Sequence, residues 1–340
     1  MRLLKFYRDD PVKVKNLRWY SHKRWQSFAV KHNHLIGGRG YGKTYPLRLD
    51  FLHNFQKTGE TFFWSRTTDR ALDAIRDPKQ FFGRIKPEHL KWLEIENYDI
   101  KNDRIYINKK LCGYYFAVST FYNNKGADYN CTRGCWDEFM RAKGERPLAG
   151  KREKFMDLCQ SVLRDDKNAR VVYLSNSTNQ FDEVLKYYDV KLEEFGIYLY
   201  REKNALIHYI RPSETFLEAQ KDSISFTGAS EQQKKMMYEN KFTDYGEYGK
   251  ISKAKYLFSI QCDDDAFLSF YEYDMTLYVK PNIPDNPWIK TADPIFVNSN
   301  VNKLTQAEKK YLTTMYDRGK IIFIDGYCRV LFQETFYARV

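Results

Sequence analysis

The chain has 340 residues, 43% of them hydrophobic and 17% aromatic, which is long enough for two domains that each bury a core. Its 56 Lys and Arg residues outnumber its 44 Asp and Glu residues, and the net charge of +12 favours a polyanionic partner such as nucleic acid over the alternative of a merely basic soluble protein. No apolar run approaches the roughly 18 residues of a membrane span, and the charged first residues predict no signal peptide. The six cysteines do not complete a zinc-binding pattern, which predicts reduced, cytosolic thiols.

The first predicted elements form a strand, a glycine loop, a helix and a second strand. The basic and aromatic stretch "RWYSHKRW" that precedes them has no predicted role. The strand ends in "HLIG", and "KTYPLRLDFLHNFQKTG" predicts a helix because Leu47, Phe51 and Phe55 recur at helical spacing before Gly59. "ETFFWSR" then predicts the second strand. This order is the one that a P-loop nucleotide-binding domain requires.

The loop between the first strand and the helix matches the phosphate-binding pattern G-x-x-x-x-G-K-[ST]. Glycines allow the tight turn in which backbone N–H groups converge on phosphate oxygens, and the N-terminus of the helix adds a favourable dipole. Lys43 can reach the β- and γ-phosphates of ATP, and the Thr44 hydroxyl can hold Mg²⁺. The residues assigned to nucleotide binding here are Gly37, Gly38, Arg39, Gly40, Tyr41, Gly42, Lys43 and Thr44. The alternative is a glycine turn that binds no phosphate.

A nucleotide hydrolase also needs acidic residues, and "WDEF" supplies an adjacent pair. Asp137 is the candidate Mg²⁺ ligand, and Glu138 is the candidate residue that activates or orients the attacking water. The preceding stretch "TRGCW" mixes apolar and polar residues, which is unusual for a buried parallel strand. Two solvated carboxylates at a helix end are therefore an alternative interpretation.

Two further polar residues could reach a nucleotide. Arg164 follows the helix predicted in "KREKFMDLCQSVL". It is a surface residue or a helix C-cap in a monomer, and in a ring it could be an arginine finger for the nucleotide of a neighbouring subunit. "ARVVYLSN" predicts a strand whose last residue, Asn176, could sense the γ-phosphate. An ordinary turn at the strand end is the alternative for Asn176.

The rest of the chain predicts a linker and a second α/β domain. "FDEVLKYYDVKLEEFG" predicts a helix followed by an edge strand, which complete a first domain at residues 1–204. Residues 205–248 are polar, contain a predicted helix in "ASEQQKKMMYENKF" and favour a small linker domain. In residues 249–340, strands in "KAKYLFSIQC", "AFLSFYEYD" and "MTLYVKP", a helix in "TQAEKKYLTTMYDRG" and a strand in "KIIFID" are compatible with an RNase H-like sheet.

Acidic residues in this last part raise the question of nuclease activity. An active RNase H-like domain holds two metal ions between carboxylates on its strands. Asp263, Asp264 and Asp265 join two predicted strands, and Asp325 precedes a glycine, so all four stand where aspartate favours turns. A domain that does not cleave DNA is the prediction, and a metal-dependent nuclease is the alternative.

Taken together, "GGRGYGKT", "TFFWSR", "WDEF" and "VLRDDKNARVVYLSN" resemble the DNA-packaging ATPase of phi29-like tailed bacteriophages, which is related to the large terminase ATPases. The resemblance covers residues 34–180 well and extends more loosely to "KFTDYGEYGK" and "KYLFSIQ". It implies an α/β fold with an additional-strand, conserved-glutamate P-loop ATPase domain around a parallel central sheet. A small linker domain and an RNase H-like C-terminal domain without cleavage activity would follow.

The resemblance also implies roles for individual residues. Lys43 and Thr44 would bind the nucleotide and Mg²⁺. Asp137 and Glu138 would fill the Walker B and catalytic glutamate roles. Arg164 would act in trans as an arginine finger.

Two more basic residues match positions of this family. Arg66, which closes "TFFWSR", would lie near the nucleotide or the subunit interface. Lys125, in "YNNKGADYN", would touch DNA or the neighbouring active site. The family has further basic residues directly after the first position, whereas "TTD" follows here, which leaves the role of that turn open.

The implied function is ATP-driven translocation of double-stranded viral DNA into a preformed procapsid by a homomeric ring, typically a pentamer. The ring would work in the cytoplasm of the infected host at the portal vertex, with ATP and Mg²⁺ as ligands. Its partners would be DNA, the portal, neighbouring subunits and, as in some relatives, a packaging RNA, with no membrane. Two alternatives stay open: a terminase with an active nuclease domain, and a P-loop ATPase that serves partner assembly without translocating DNA.

Overall fold

The computed structural model of the protein confirms the strand, loop and helix predicted around the glycine motif. The structure describes residues 5–17, 19–124, 129–140, 148, 150–164, 166–176, 182–188, 190, 192–229, 234, 238–240, 255–263, 266–273, 275–281, 299–300, 304–318, 320–323 and 326–337. The chain divides into a first unit of residues 1–141, 151–178 and 183–243 and a second unit of residues 142–150, 179–182 and 244–340. Over these described ranges, no helix is both long and apolar enough to cross a membrane.

Ten strands in the described part of the first unit form a single sheet. They are β1 (Lys5–Arg8), β2 (His32–Ile36), β3 (Thr61–Arg66), β4 (Tyr98–Lys101), β5 (Arg104–Ile107), β6 (Lys110–Ala117), β7 (Cys131–Asp137), β8 (Arg170–Ser175), β9 (Gly196–Tyr200) and β10 (Ala205–Tyr209). Their spatial order is β1-β9-β10-β2-β8-β7-β3-β6-β5-β4. Neighbours from β10 to β6 pair in parallel, and the strands outside them pair antiparallel. The parallel central sheet predicted from the sequence is confirmed.

The strand order brings the loop and the acid pair to the same edge of the sheet. Strand β2 leads into the glycine loop, and β7 ends at Asp137, directly before Glu138. One strand, β8, lies between them, which is the additional-strand arrangement that the resemblance implies. Because these strands are parallel, the residues that follow their carboxyl ends emerge side by side, and this edge is where open α/β sheets bind ligands.

Helices cover both faces of this sheet. They are α1 (Pro11–Val14), α2 (Lys23–Gln26), α3 (Thr44–Thr58), α4 (Asp69–Arg76), α5 (Pro78–Phe81), α6 (Pro87–Trp92), α7 (Lys151–Leu163), α8 (Glu183–Lys186), α9 (Glu214–Gln220) and α10 (Ile224–Thr227), with a 3₁₀ turn at Phe121–Asn124. Phe51 on α3 packs against Phe62, with ring centroids 5.3 Å apart, and Phe155 on α7 packs against Phe63 at 6.2 Å. Successive residues of β3 therefore face opposite layers, which gives a parallel sheet the two-sided burial it needs.

Strand β7 forms although its composition is unusual for a buried strand. A Cβ atom on Gly134 would overlap the ring of Phe63 on the neighbouring β3, so any other residue here would force that ring to shift. Arg133, the one partly exposed residue of the strand, donates a hydrogen bond to Asn54 at 2.8 Å. The acid pair therefore lies at the end of a strand, as predicted, and the alternative of a helix end is wrong.

The sheet extends further towards the N-terminus than the sequence indicates. The sequence predicts β9 as an edge strand, but β1 pairs with it antiparallel, so this prediction is wrong. The predicted boundary between residues 204 and 205 falls directly before β10, which pairs with both β9 and β2 and is part of the same sheet. The division into an ATPase domain at 1–204, a linker domain at 205–248 and a C-terminal domain at 249–340 stays a prediction.

The second unit contains a smaller sheet. Its described elements are β11 (Lys255–Asp263), β12 (Ala266–Tyr273), β13 (Thr276–Pro281), β14 (Ser299–Asn300), α11 (Gln306–Asp317), β15 (Ile321–Phe323) and α12 (Gly326–Tyr337). The strand order is β14-β11-β12-β13-β15, with antiparallel pairing from β11 to β13 and parallel pairing at both ends. The predicted succession of three strands, a helix and a strand is confirmed, whereas α12 and the short β14 were not predicted.

Helix α12 closes the core of this unit. Its Phe332 packs against Phe270 of β12 and Phe323 of β15, with ring centroids 6.3 Å and 5.4 Å apart. The RNase H-like assignment stays a prediction. Asp263 is the last residue of β11. Asp264, Asp265, Asp325 and most of the helix predicted in "ASEQQKKMMYENKF" lie outside the described residues.

Candidate nucleotide-binding and catalytic site

The glycine loop leaves β2 at Gly37 and enters α3 at Thr44. The Gly37 N–H donates to the carbonyl of Ser175 on β8 at 3.1 Å, which ties the start of the loop to the sheet. Gly40 and Gly42 have φ angles of 78° and 88°, and nothing lies within 4 Å of a Cβ atom built on Gly40. The loop therefore has the backbone conformation and the open space that a phosphate cradle requires.

Lys43 is folded back into the loop. Its Nζ donates to the carbonyls of Gly37 at 2.6 Å and Gly38 at 2.8 Å, and to Oδ1 of Asn176 at 3.2 Å. Burial lowers the pKa of Lys43 to about 7, although the charges of two nearby carboxylates act in the opposite direction. Charge-assisted contacts to phosphate oxygens are stronger than contacts to neutral carbonyls, so a nucleotide could displace these partners. Asn176, the candidate γ-phosphate sensor, is brought directly to Lys43.

The other residues of the motif occupy different environments. Arg39 is exposed, and Thr44 is partly buried at the start of α3. Tyr41 is only 1% exposed, and its ring packs against Phe216 of α9 with centroids 4.6 Å apart. The backbone of Tyr41, and not its side chain, is therefore what could contact a ligand in the loop.

The acid pair emerges beside Lys43. Asp137 pairs with Leu174 of β8, two residues before Asn176, and its carboxylate accepts a hydrogen bond from Trp64 Nε1 at 3.3 Å. Glu138 turns the chain out of the strand with a φ of 56°, and its side chain is 59% exposed. One carboxylate is thus fixed and buried while the other reaches solvent. This division suits one Mg²⁺ ligand and one residue that orients water.

Arg66, the last residue of β3, bridges the two acids. Its guanidinium donates to Oδ2 of Asp137 at 2.9 Å and forms a second ion pair with Glu138. The Arg66 side chain is largely buried in this position. The sequence places Arg66 near the nucleotide or the subunit interface, and its observed contacts are with the candidate catalytic carboxylates. In this arrangement Arg66 occupies carboxylate oxygens that would otherwise be open to a metal ion or water.

The remaining candidates are not brought to the loop by any contact described above. Arg164 directly follows α7 with a φ of 49°, and its role toward a neighbouring subunit stays a prediction. Lys125 lies outside the described residues. In the part of the chain that the structure describes, no group of three or more His, Cys, Asp or Glu residues could hold a metal ion. A Mg²⁺ ion held by Thr44 and Asp137 would therefore take its other ligands from phosphate oxygens and water.

Sequence reasoning missed the segment that packs on the loop from the N-terminal side. The Tyr20 N–H donates to the Tyr41 carbonyl at 2.9 Å, and the His22 Nε2–H donates to the Lys43 carbonyl at 2.9 Å. Burial lowers the pKa of His22 to about 4, so its ring is neutral near pH 7. The aromatic and basic character of "RWYSHKRW" is the available signal, but it does not point to the glycine loop.

Known proteins share both sequence and fold with this chain. The DNA packaging proteins of Bacillus phages PZA and phi29 are each 26% identical over 163 residues, which is 47% of this chain and 47% of the relative. The chain thus aligns with about half the length of the curated relatives it matches.

Two solved structures are similar in fold. The N-terminal domain of the DNA packaging ATPase from bacteriophage phi29 has a TM-score of 0.50 and 23% identity, with 57% of this chain and 97% of that chain covered. The bacteriophage phi29 genome packaging motor assembly has a TM-score of 0.57 and 20% identity, with 93% and 97% covered. The family model of the Podovirus DNA encapsidation protein (Gp16) matches residues 14–337. Because this match spans nearly the whole chain, the protein belongs to the Podovirus DNA encapsidation protein (Gp16) family, as its sequence motifs predict.

Proposed function

We propose that this chain is an ATPase that drives double-stranded DNA into a preformed procapsid as one subunit of a homomeric ring. The observation that carries the proposal is the convergence of Lys43, Asn176, Asp137 and Glu138 at one edge of a parallel sheet, beside an open glycine loop. Membership of a DNA encapsidation family directs this chemistry to packaging. The net charge of +12 supports contact with a polyanion.

The loop and its surroundings fit a nucleotide with Mg²⁺. The Lys43 ammonium is buried and held by exchangeable acceptors, and the space beside Gly40 is open. Lys43 would move to the β- and γ-phosphates while the loop N–H groups cradle the phosphates. Thr44 and Asp137 would hold Mg²⁺, which neutralises phosphate charge when bound.

The hydrolytic step is assigned to Glu138. Its exposed carboxylate would orient the attacking water and accept its proton after it separates from Arg66. Asn176 would respond to the γ-phosphate through its contact with Lys43. Arg164 of a neighbouring subunit would stabilise the charge on the transferring phosphoryl group.

The ring geometry and partners complete the proposal. A homomeric ring, which we propose is a pentamer, would dock on the portal vertex in the host cytoplasm and contact DNA phosphates independently of base sequence. The second unit, with antiparallel strands flanked by parallel ones, is proposed as an RNase H-like module that does not cleave DNA. Packaging with and without added RNA decides whether a packaging RNA is required.

Packaging of double-stranded DNA into purified procapsids, with ATP turnover measured in parallel, tests the proposal. Glu138→Gln should lower kcat by about 100-fold or more while ATP still binds. Lys43→Ala should abolish turnover and packaging. Glu218→Gln removes an exposed carboxylate paired with Lys221 and should change neither activity. Turnover that survives Glu138→Gln, or that ignores DNA and procapsids, would contradict the proposal. ATP turnover that does not change when DNA is added would favour an ATPase that serves partner assembly.

A further inference from the structure

Trp19 presents a half-exposed indole at the glycine loop. Trp19 as a whole residue is 53% exposed. A Cβ atom built on Gly42 would lie 3.5 Å from Cε3 and 3.6 Å from Cβ of Trp19, so the indole lies beside Gly42 with room for about one methyl group between them. Gly42 directly precedes Lys43 and Thr44, and the indole is therefore at the end of the loop from which α3 begins.

Buried contacts hold the segment that carries Trp19. The next residue, Tyr20, donates its backbone N–H to the Tyr41 carbonyl at 2.9 Å. Its hydroxyl donates to Nδ1 of His208 on β10 at 2.8 Å, and His208 Nε2 in turn donates to Asp9 at 3.2 Å. Asp9 and His208 are 1% and 2% exposed, so this hydrogen-bonded chain is part of the core. Trp19 is thus attached to a fixed point and not to a free tail.

Contacts made by residues before and after Tyr20 fix the segment further. On one side, the Lys15 carbonyl accepts a hydrogen bond from the Thr215 N–H at 3.2 Å, and the Leu17 carbonyl accepts one from the Ser213 hydroxyl. On the other side, His22 Nε2 donates to the Lys43 carbonyl at 2.9 Å. The position of the indole is therefore set by the fold before any ligand binds, which lowers the entropic cost of using it as a contact surface.

A bound nucleotide would extend its nucleoside from this end of the loop. Lys43 reaches the β- and γ-phosphates, whereas the loop N–H groups and the start of α3 hold the α- and β-phosphates. The base is joined through the ribose to the α-phosphate, so it leaves the cradle on the side of α3. Every base has an aromatic face that an indole can stack on.

We propose that Trp19 is the stacking platform for the purine base of the nucleotide, an inference that rests on the proposed ATPase function. Stacking on one indole recognises the aromatic face of the base and not its hydrogen-bonding edge. Trp19 therefore strengthens binding of ATP and GTP to a similar degree. Tyr41, the aromatic residue inside the motif, is not available for this contact because its ring is 1% exposed.

Binding of Mg²⁺-ATP and of Mg²⁺-tripolyphosphate to the full chain tests this role, because the second ligand has the phosphates without the base. Trp19→Ala should lower the affinity for ATP and for GTP about tenfold, as expected for the loss of one base–aromatic stack. It should leave the affinity for tripolyphosphate unchanged. Trp19→Phe should retain most of the affinity and should lose the part of the nucleotide-dependent fluorescence quenching that comes from this indole.

Trp92→Ala is the matched control, because Trp92 is similarly exposed at 57% but stacks on His53 of α3. It should leave all affinities unchanged. ATP affinity within twofold of normal in Trp19→Ala would overturn the inference. An equal loss of affinity for tripolyphosphate in Trp19→Ala would also overturn the inference, because Trp19 would then merely support the loop. Failure of the unaltered protein to bind either ligand would overturn the proposed function and this inference together.

Discussion

Lys43 has a distinctive electrostatic environment at the scale of single residues. Its ammonium is buried and donates to two loop carbonyls and to Asn176, without a carboxylate in direct hydrogen-bond contact among these partners. Burial disfavours the charged form and lowers the pKa of Lys43 to about 7, well below its ordinary value of 10.5. Close phosphate oxygens favour the charged form, so nucleotide binding should raise this pKa again.

We therefore expect nucleotide binding to take up a proton above pH 7. Below pH 7, Lys43 is already protonated in the free protein and uptake at this residue should be small. Between pH 7 and pH 9, uptake should rise towards one proton, and ATP affinity should fall by up to about tenfold per pH unit. Calorimetric titrations at pH 6 and pH 9, each in two buffers of different ionisation enthalpy, measure the uptake directly.

Lys43→Arg provides the control for proton uptake, because a guanidinium stays charged over this pH range. Where this variant binds ATP, it should do so without uptake at pH 9. Equal uptake in both proteins would assign the proton to another group. No uptake by the unaltered protein at pH 9 would contradict the depressed pKa of Lys43.

At the scale of elements, β7 shows how packing overrides local composition. The stretch "TRGCW" mixes residue types that a buried parallel strand seldom combines. Gly134 makes room for the Phe63 ring, and Arg133 finds a partner in Asn54 at the start of the strand. These compensations lie on β3 and α3, so they become visible only when the neighbouring elements are in place.

Gly134→Ala should lower the free energy of unfolding by about 1–3 kcal/mol, because the new methyl group would overlap the Phe63 ring in a close-packed layer. Urea denaturation followed by circular dichroism measures the change. In a Phe63→Leu background the same substitution should cost clearly less, since the smaller side chain leaves space for the methyl group. The contact would not constrain β7 if Gly134→Ala lowered the free energy of unfolding equally in both backgrounds. The same would follow if Gly134→Ala did not lower it at all in the otherwise unaltered protein.

At the scale of the whole molecule, the proposed site lacks one component within its own chain. Lys43, Asp137 and Glu138 belong to one subunit, and the proposed arginine finger, Arg164, would come from the next. The chain belongs to a family of DNA encapsidation proteins, and the ring of subunits in which this division would operate is part of the proposed function.

Mixed rings test whether the site is shared between subunits. Lys43→Ala and Arg164→Ala subunits should each be inactive alone but should regain part of their ATP turnover when mixed. Some interfaces then combine an intact Lys43 with an intact Arg164. A mixture of Lys43→Ala with Glu138→Gln is the control and should stay inactive, because both residues act within the same subunit and no complete site forms. Rescue in neither mixture, or in both, would contradict action in trans.

The local part of the site could be predicted from sequence because its signals are local. The glycine pattern at residues 37–44, the helical spacing of α3 and the short apolar strand β8 each depend on neighbouring residues along the chain. The structure confirms these elements and the strand that leads to Asp137 and Glu138. The motifs were specific enough together to predict the family.

Contacts between distant parts of the chain could not be predicted in this way. Pairing of β1 with β9, the bridge from Arg66 to both acids, and the packing of Trp19 and Tyr20 on the loop all join segments that are far apart in sequence. Periodicity and turn chemistry describe a residue's own element and do not specify which other element it will meet. The local sequence by itself therefore determined which residues form the glycine loop and the acid pair. Only the tertiary structure decided which partner each charged or aromatic side chain contacts, because those partners lie on other elements of the sheet and its helices.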